Sequence, residues 1–469
     1  MRQMKKICTL FLCVLLVMNS LPISQLAASG HQQELYFTLL HTNDEHSALL
    51  PLPLIDYDPT GKQGASGGFA RLASTVKAIR ARKQEEAEPV LLVSAGDFLT
   101  GSPFAWLALE QQAPELGLML ELGYDAITFG NHEFDYGSEA LADYLQAAGY
   151  PQAGEQTPII ASNMVIPEEH LLTGVGIRQT HIKELANGLR IGFFGILGKK
   201  AAEYTPYAPP ITFSDPIEAA RAAVAELQAA SVDVVIGLSH SGEVEEAALA
   251  AAVPGIDIII GGHTHEALEQ PLKVGETIIV QAGTQLSHLG MLEVAFDRVS
   301  GQVRLRNQQN GQPYLLPLNA TVPYDPPYAQ KVDQLAQQLD ALLQRMTADR
   351  FEKMNQAILH TDFPVSDKPE LAESAFGNFV TDAMRLVGEQ VTGEKVDFAF
   401  QANGVIRGGL EPGTLPGREG QVSLFDLVIQ VCMGSGPDGR PGYPLVSIYF
   451  TGEEVRRILE VAALLPLLM

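Results

Sequence analysis

Two aspartates, an asparagine and four histidines share one placement in this chain: each sits at the end of a short apolar run. "LLHTNDEH" carries Asp44 and His46, and "LLVSAGD" carries Asp97. "ITFGNHEFD" carries Asn131, followed by His132 and Asp135. "VVIGLSH" carries His240, and "IIIGGHTH" carries His263 and His265. Carboxylate oxygen, amide oxygen and imidazole nitrogen together suit manganese, zinc, cobalt or iron. The seven donors Asp44, His46, Asp97, Asn131, His240, His263 and His265 are too many for one tetrahedral ion. They match two divalent ions that share a carboxylate. Two ions roughly 3.5–4 Å apart can clamp the attacking and leaving oxygens of an in-line displacement. The charges agree: two cations bring about +4, two aspartates about −2 and a bridging hydroxide about −1, leaving roughly +1 for an anionic ester to meet.

Taken singly, each residue has a plainer reading. A strand-end histidine is commonly a satisfied surface or core group, and Gly-Asp is commonly a turn. His31, His41, His170, His181, His288 and His360 stay in that class, and Glu133 reads as a local hydrogen-bond partner. The ordered recurrence at five run ends singles out the set.

Something must hold those ends together. From Glu34 to about Asp297, short apolar runs alternate with helical patterns. The runs "LYFTLLH", "PVLLVSAGD", "DAITFGN", "TPIIASN", "LRIGFFGILG", "VDVVIGLSH", "IDIIIGGHTH" and "ETIIVQAGT" are near-continuous, as in strands buried on both faces. "GGFARLASTVKAIRARKQEE" and "PIEAARAAVAELQAA" read as helices between them, and the alternation predicts a layered α/β domain. In such sheets ligands collect beyond the carboxyl ends of the strands. Residues two apart in extended backbone point the same way, which pairs Asp44 with His46 and His263 with His265. Glycines before Asp97, Asn131 and His263 let the chain turn there.

The 469 residues exceed one ordinary core and predict more than one domain. Residues 1–29 pair a basic start with an apolar stretch from Ile7 to Met18 and small residues at Ala27–Ser29, the pattern of a cleaved export signal. The protein is therefore expected outside the cytoplasm, secreted or periplasmic, with no membrane span left after cleavage. Cys8 and Cys13 lie in that segment, so only Cys432 remains and no internal disulfide forms. The net charge is −24. Residues 1–29 hold Arg2, Lys5 and Lys6 and no acid, which leaves −27 on the rest. That field repels nucleic-acid polymer. An anionic small molecule must be held by a local positive centre.

In this order, "HTNDEH", "SAGDF", "GNHEFDYG", "LSHSG" and "GGHTH" resemble the five blocks of the calcineurin-like metallophosphoesterases. Within them the chain is most similar to the exported 5′-nucleotidase group, which includes UDP-sugar hydrolases and 2′,3′-cyclic-nucleotide phosphodiesterases. The resemblance covers nearly all of residues 35–300. It implies an α/β sandwich of two mixed sheets flanked by helices. It implies that Asp44, His46, Asp97 and His265 hold one metal, and that Asp97, Asn131, His240 and His263 hold the other, with Asp97 bridging. His265 stands where many members have Gln. His132 resembles the residue that contacts the transferring phosphoryl group, and Asp135 would orient it. The other reading of Asp135 is a helix N-cap in "FDYGSEALADYL".

The implied division is a catalytic domain at 34–325, a connecting helix at 326–350 and a substrate-binding domain at 351–469. Val332, Leu335, Leu339, Leu342, Leu343 and Met346 form the apolar stripe of that helix. "ESAFGNFVTDAMR", "DFAFQANGVIRGGLEPG" and "LVSIYFTGEEVRRILE" resemble the start of the family's C-terminal domain, with Asn403 and Arg407 as substrate residues. Arg407 looks like a phosphate-gripping arginine; a solvated loop arginine is the alternative. There are departures. "SDKPELAES" has Lys368 but lacks the two further arginines that members often carry. "VCMGSG" puts Met433 near a base-stacking phenylalanine. The chain stops at Met469, which predicts an incomplete C-terminal domain.

Together these readings predict an exported two-metal hydrolase of nucleotide-like phosphate esters, acting by in-line attack of a metal-bridging hydroxide. The alternatives are a same-fold hydrolase of another anionic ester and a non-catalytic exported binding protein.

Overall fold

The apolar runs become two sheets that face each other. The computed structural model describes residues 34–58, 64–368, 372–431, 434, 436 and 440–468, apart from the side chains of residue 403 and residues 465–468. The expected export signal, Cys432, Met433 and the Asn403 side chain thus lie outside what is described.

In the first sheet the order is Val303–Leu305, His288–Asp297, Glu34–Thr42, Val90–Ser94, Ala126–Ile127, with Leu315–Pro317 also paired to His288–Asp297. Glu34–Thr42 runs parallel to Val90–Ser94 and antiparallel to His288–Asp297. In the second sheet the order is Leu272–Val274, Thr277–Val280, Ile258–Ile260, Val234–His240, Arg190–Leu197, Thr180–Glu184. The inner four strands are parallel and the two edges antiparallel. Both sheets are therefore mixed.

Side-chain alternation along each strand builds three apolar layers. Phe37, Leu39, Val93, Phe193, Ile236, Leu238, Ile260 and Val294 fill the space between the sheets. Leu40 and Leu92 point the other way, onto Phe69–Glu85, Ser138–Ala147 and Pro326–Thr347. Phe194, Val235 and Ile259 meet Pro216–Ala229 and Glu243–Ala252 on the opposite outer face. The result is a four-layer arrangement, helix–sheet–sheet–helix. Burying strands on both faces is what the near-continuous apolar runs encode.

One run departs from expectation. "TPIIASN" makes only isolated bridges, Ile127 to Ile159 and Ile160 to Arg178. Its polar side chains and those facing it take up backbone groups that a ladder would use. Thr128 Oγ1 donates to Ile160 O (2.7 Å), and the Gly195 amide donates to Ser162 Oγ (3.0 Å). The segment thereby stitches the edge of the first sheet to the second.

The parallel registers bring the strand ends level. Thr42 is opposite Ser94, Ser94 opposite Ile127, and Leu197 opposite His240. After Pro326–Thr347, in which Met346 is exposed rather than packed, the chain forms the pair Ala357–His360 and Gln421–Ser423 and the helices Ala375–Thr392, Leu424–Val431 and Gly452–Leu468. Leu424, Phe425, Val428 and Ile429 belong to the same buried cluster as Phe69 and Phe104, so this part is anchored in the first core. Polar bonds fix its orientation. Asp426 accepts from the amides of Leu54 (2.5 Å) and Ile55 (2.9 Å). Asp56 accepts from Thr414 and Leu415, and Arg418 donates to the carbonyls of Ile55 and Tyr57.

Candidate active site

The backbone at the strand ends is unusual. Asp44, His46, Asp97, His263 and His265 all have positive φ, between 50° and 80°. Non-glycine residues rarely adopt this region, and strain of this kind gathers at functional sites. The paired donors do converge, but by sharp left-handed turns, not along the extended backbone expected from the sequence. The glycines act in two ways. Gly96 has φ 90° and makes a turn. Gly130 and Gly262 leave room: a Cβ at Gly130 would collide with Asp97 Oδ1, and one at Gly262 would lie 2.9 Å from His240 Nδ1 and 3.1 Å from Asp44 Oδ2.

The side chains meet in one pocket. Asp44, Asp97 and His240 form one group able to hold a cation, and Asp44, His46 and His265 form another. His240 Nε2 lies 3.0 Å from Asp97 Oδ2 and 3.9 Å from Asp44 Oδ1. His46 Nε2 is 3.0 Å from His265 Nε2, 3.8 Å from Asp44 Oδ1 and 3.9 Å from Asp97 Oδ2. Asn131 Oδ1 is 3.1 Å from His263 Nδ1. Arg407 belongs to the C-terminal part; its amide donates to Gln430 O (3.0 Å), and its positive charge acts on His132 and His46.

Divalent ions fit these residues. His240 Nδ1 donates to Ala95 O (2.9 Å), which turns its buried Nε2 toward the Asp97 and Asp44 carboxylates. A buried imidazole nitrogen and two carboxylates aimed at one another, with the far ring nitrogen fixed by a backbone carbonyl, are the donor set a divalent cation would fit. Burial makes it hard to charge His46 or His263, and neighbouring histidines add to that; His263 falls to about 4. Both imidazoles are thus neutral and able to donate electron pairs. Burial opposes ionisation of Asp44 and Asp97, but a proton on His240, whose pKa the two carboxylates raise against its own burial to about 10, keeps both below their ordinary range; a divalent cation bound there would supply the same positive charge in place of that proton.

Beside the donors stands His132. Its Nδ1 donates to Asp135 Oδ2 (2.8 Å), and its amide donates to Asp97 Oδ1 (2.8 Å). Burial works against its protonation, yet Asp135 and Asp97 more than offset this, and its pKa is raised. Asp135 is not a helix N-cap; Gly137 occupies that position before Ser138–Ala147.

Several supporting residues escaped the sequence reading. Asn43 donates to Asp44 Oδ2 (2.7 Å) and Gly283 O (2.7 Å) and accepts from Ala282 N (2.8 Å). Its place directly before Asp44 was the available signal. Glu246 is fully buried and accepts from Gly262 N (3.2 Å) and Gln281 Nε2 (3.1 Å), tying the helix after His240 to the turn that carries His263. Nothing in its own stretch announces that role.

The pattern of the family described as calcineurin-like phosphoesterase matches residues 37–267, and that of the 5′-nucleotidase C-terminal domain matches residues 354–464. The chain belongs to the calcineurin-like phosphoesterases. This family uses two divalent metals. The chain is 27% identical over 410 residues to the trifunctional nucleotide phosphoesterase YfkN of Bacillus subtilis, covering 81% of this chain and 25% of that protein. It is 34% identical over 283 residues to the probable 5′-nucleotidase of Treponema pallidum, covering 56% of this chain and 45% of that protein. It thus spans less than half the length of either. Among solved structures, the 5′-nucleotidase precursor of Thermus thermophilus superposes with a TM-score of 0.67 at 26% identity, covering 84% of this chain and 73% of that one. No helix among the described residues is long and apolar enough to cross a membrane.

Proposed function

We propose that this phosphoesterase is exported and hydrolyses phosphate esters of nucleotide type, with residues 34–325 carrying the chemistry, 326–350 connecting, and 351–469 holding substrate. The observation that carries the reading is the meeting of Asp44, Asp97 and His240 in one buried group beside the His132–Asp135 pair. The named activities of YfkN and the two 5′-nucleotidases supply the substrate class.

Asp44, His46, Asp97 and His265 would hold one divalent ion, and Asp97, Asn131, His240 and His263 the other. Bound there, the ions would polarise the phosphoryl oxygens and neutralise charge developing on them. Asp135 occupies Nδ1 of His132, so Nε2 is the nitrogen free to face substrate. The protonated ring stabilises charge in the transition state or gives its proton to the departing oxygen. Arg407 adds a fixed positive charge from the C-terminal part, suited to a phosphate. Asn403 is proposed as its neighbour in substrate binding.

The test is a panel of nucleoside monophosphates, cyclic nucleotides, UDP-sugars and aryl phosphates, assayed with manganese, cobalt or zinc. Turnover that is abolished by chelation and by Asp97→Ala supports the reading. A folded, metal-loaded protein inert toward every ester would sink it.

A further inference from the structure

We propose that Tyr204 and Tyr207 form an aromatic wall at the mouth of the donor pocket, which favours esters of ring-bearing alcohols over esters of small aliphatic ones. This rests on the phosphoesterase reading above and adds a basis for choosing the leaving group.

The strand Arg190–Leu197 ends opposite His240, and the next amide, Gly198 N, donates to His240 O (2.9 Å). The chain therefore leaves the second sheet at the pocket itself. The short helix Lys199–Glu203 delivers Tyr204 at its end. The Tyr204 ring lies 6.0 Å from the His263 ring, tilted by 39°, and the residue is 60% exposed. The ring thus neighbours a donor imidazole while most of the residue stays exposed. Three residues on, Tyr207 is 47% exposed, and its carbonyl lies over Gly137, two residues past Asp135. Neither hydroxyl is hydrogen-bonded within the described residues, and neither ring fills a core. Tyr443 of the C-terminal part is 43% exposed; Asp135, Tyr207 and Arg407 are its charged or ionisable neighbours. Tyr204 thus stands against the donor His263, and Tyr207 and Tyr443 stand on the side of Asp135 and Arg407, the part of the site from which the alcohol half of an ester would extend.

A planar ring stacking on an aromatic side chain gains affinity whatever its edge pattern, by about tenfold or more per ring. A methyl or glyceryl group gains far less. The proposal therefore predicts a preference for ring-bearing leaving groups that is tolerant of base identity.

The experiment has two arms, using the full chain. In the first, kcat/KM is measured with manganese for phenyl phosphate and for methyl phosphate, in wild type, Tyr204→Ala, Tyr207→Ala, Tyr204→Phe and Tyr207→Phe. The phenyl-to-methyl ratio should fall about tenfold in each alanine variant and recover in each phenylalanine variant. In the second, adenosine binding to metal-free protein is measured by calorimetry, and it should weaken in the same alanine variants. An unchanged ratio together with unchanged adenosine binding overturns the wall. If wild type hydrolyses neither ester, the adenosine arm alone decides the wall: loss on Tyr→Ala supports it, and no binding by wild type overturns it, while the phosphoesterase reading stands or falls separately on the full ester panel.

Discussion

The Glu133 carboxylate accepts the backbone N–H of Asp97 at 3.0 Å, and it also accepts those of Gly130 (2.6 Å) and Leu99 (3.0 Å). One buried side chain thereby holds the turn carrying Asp97 against the turn carrying Asn131. Glu133→Ala should strand three buried donors. Stability to urea should drop by about 3 kcal/mol or more, since each of the three orphaned groups costs about 1–3 kcal/mol. Bound metal should fall with it, measured by elemental analysis.

His132 and Asp135 should separate from the donors by kinetics. His132→Ala should lower kcat by about 10²-fold or more with metal content retained. Asp135→Asn should cost less. Because Asp135 helps to raise the pKa of His132, its loss should move the alkaline limb of the pH–rate profile to lower pH. An unmoved limb would assign that limb to another group.

His41 predicts acid sensitivity. It is fully buried on Glu34–Thr42, neither ring nitrogen finds a partner among the described residues, and burial pushes its pKa down to about 3. Its unfolded value is near 6.5. The stability tied to its neutral form is therefore complete above that pH and is lost as pH falls toward 3. Its share of the slope is about 1.4 kcal/mol per pH unit. His41→Met should flatten the stability profile in that window, as read by unfolding at several pH values.

Asp426 should matter to substrate without touching it. Arg407→Ala should raise KM for phosphate esters by roughly tenfold, in keeping with loss of a charged hydrogen bond. Asp426→Ala, which frees the Leu54 and Ile55 amides, should raise KM in the same direction with metal content unchanged. If only Arg407→Ala does so, the lock at Asp426 is not what aims the arginine.

The sequence was most legible where burial writes a simple pattern. Continuous apolar runs such as "VDVVIGLSH" and "IDIIIGGHTH" became inner parallel strands, and the polar residues ending them came together. It was least legible where polar side chains replace the ladder, as at Thr128 and Ser162, or where support comes from far along the chain, as with Glu246. The left-handed turns at Asp44 and His263 were also hidden, because neither residue type advertises positive φ as glycine does. The aromatic rim at Tyr204 escaped because its meaning depends on His263, which is distant in sequence and adjacent in space.

Leu424–Val431 lies in the core beside Phe104, while Asp56 and Asp426 cross-link the two parts in opposite directions. Chimeras that graft a relative's C-terminal half onto this chain would therefore inherit a mismatched plug. Retargeting the enzyme by recombination requires transplanting Leu54–Asp56 along with the donor's half, or else making point changes at the rim.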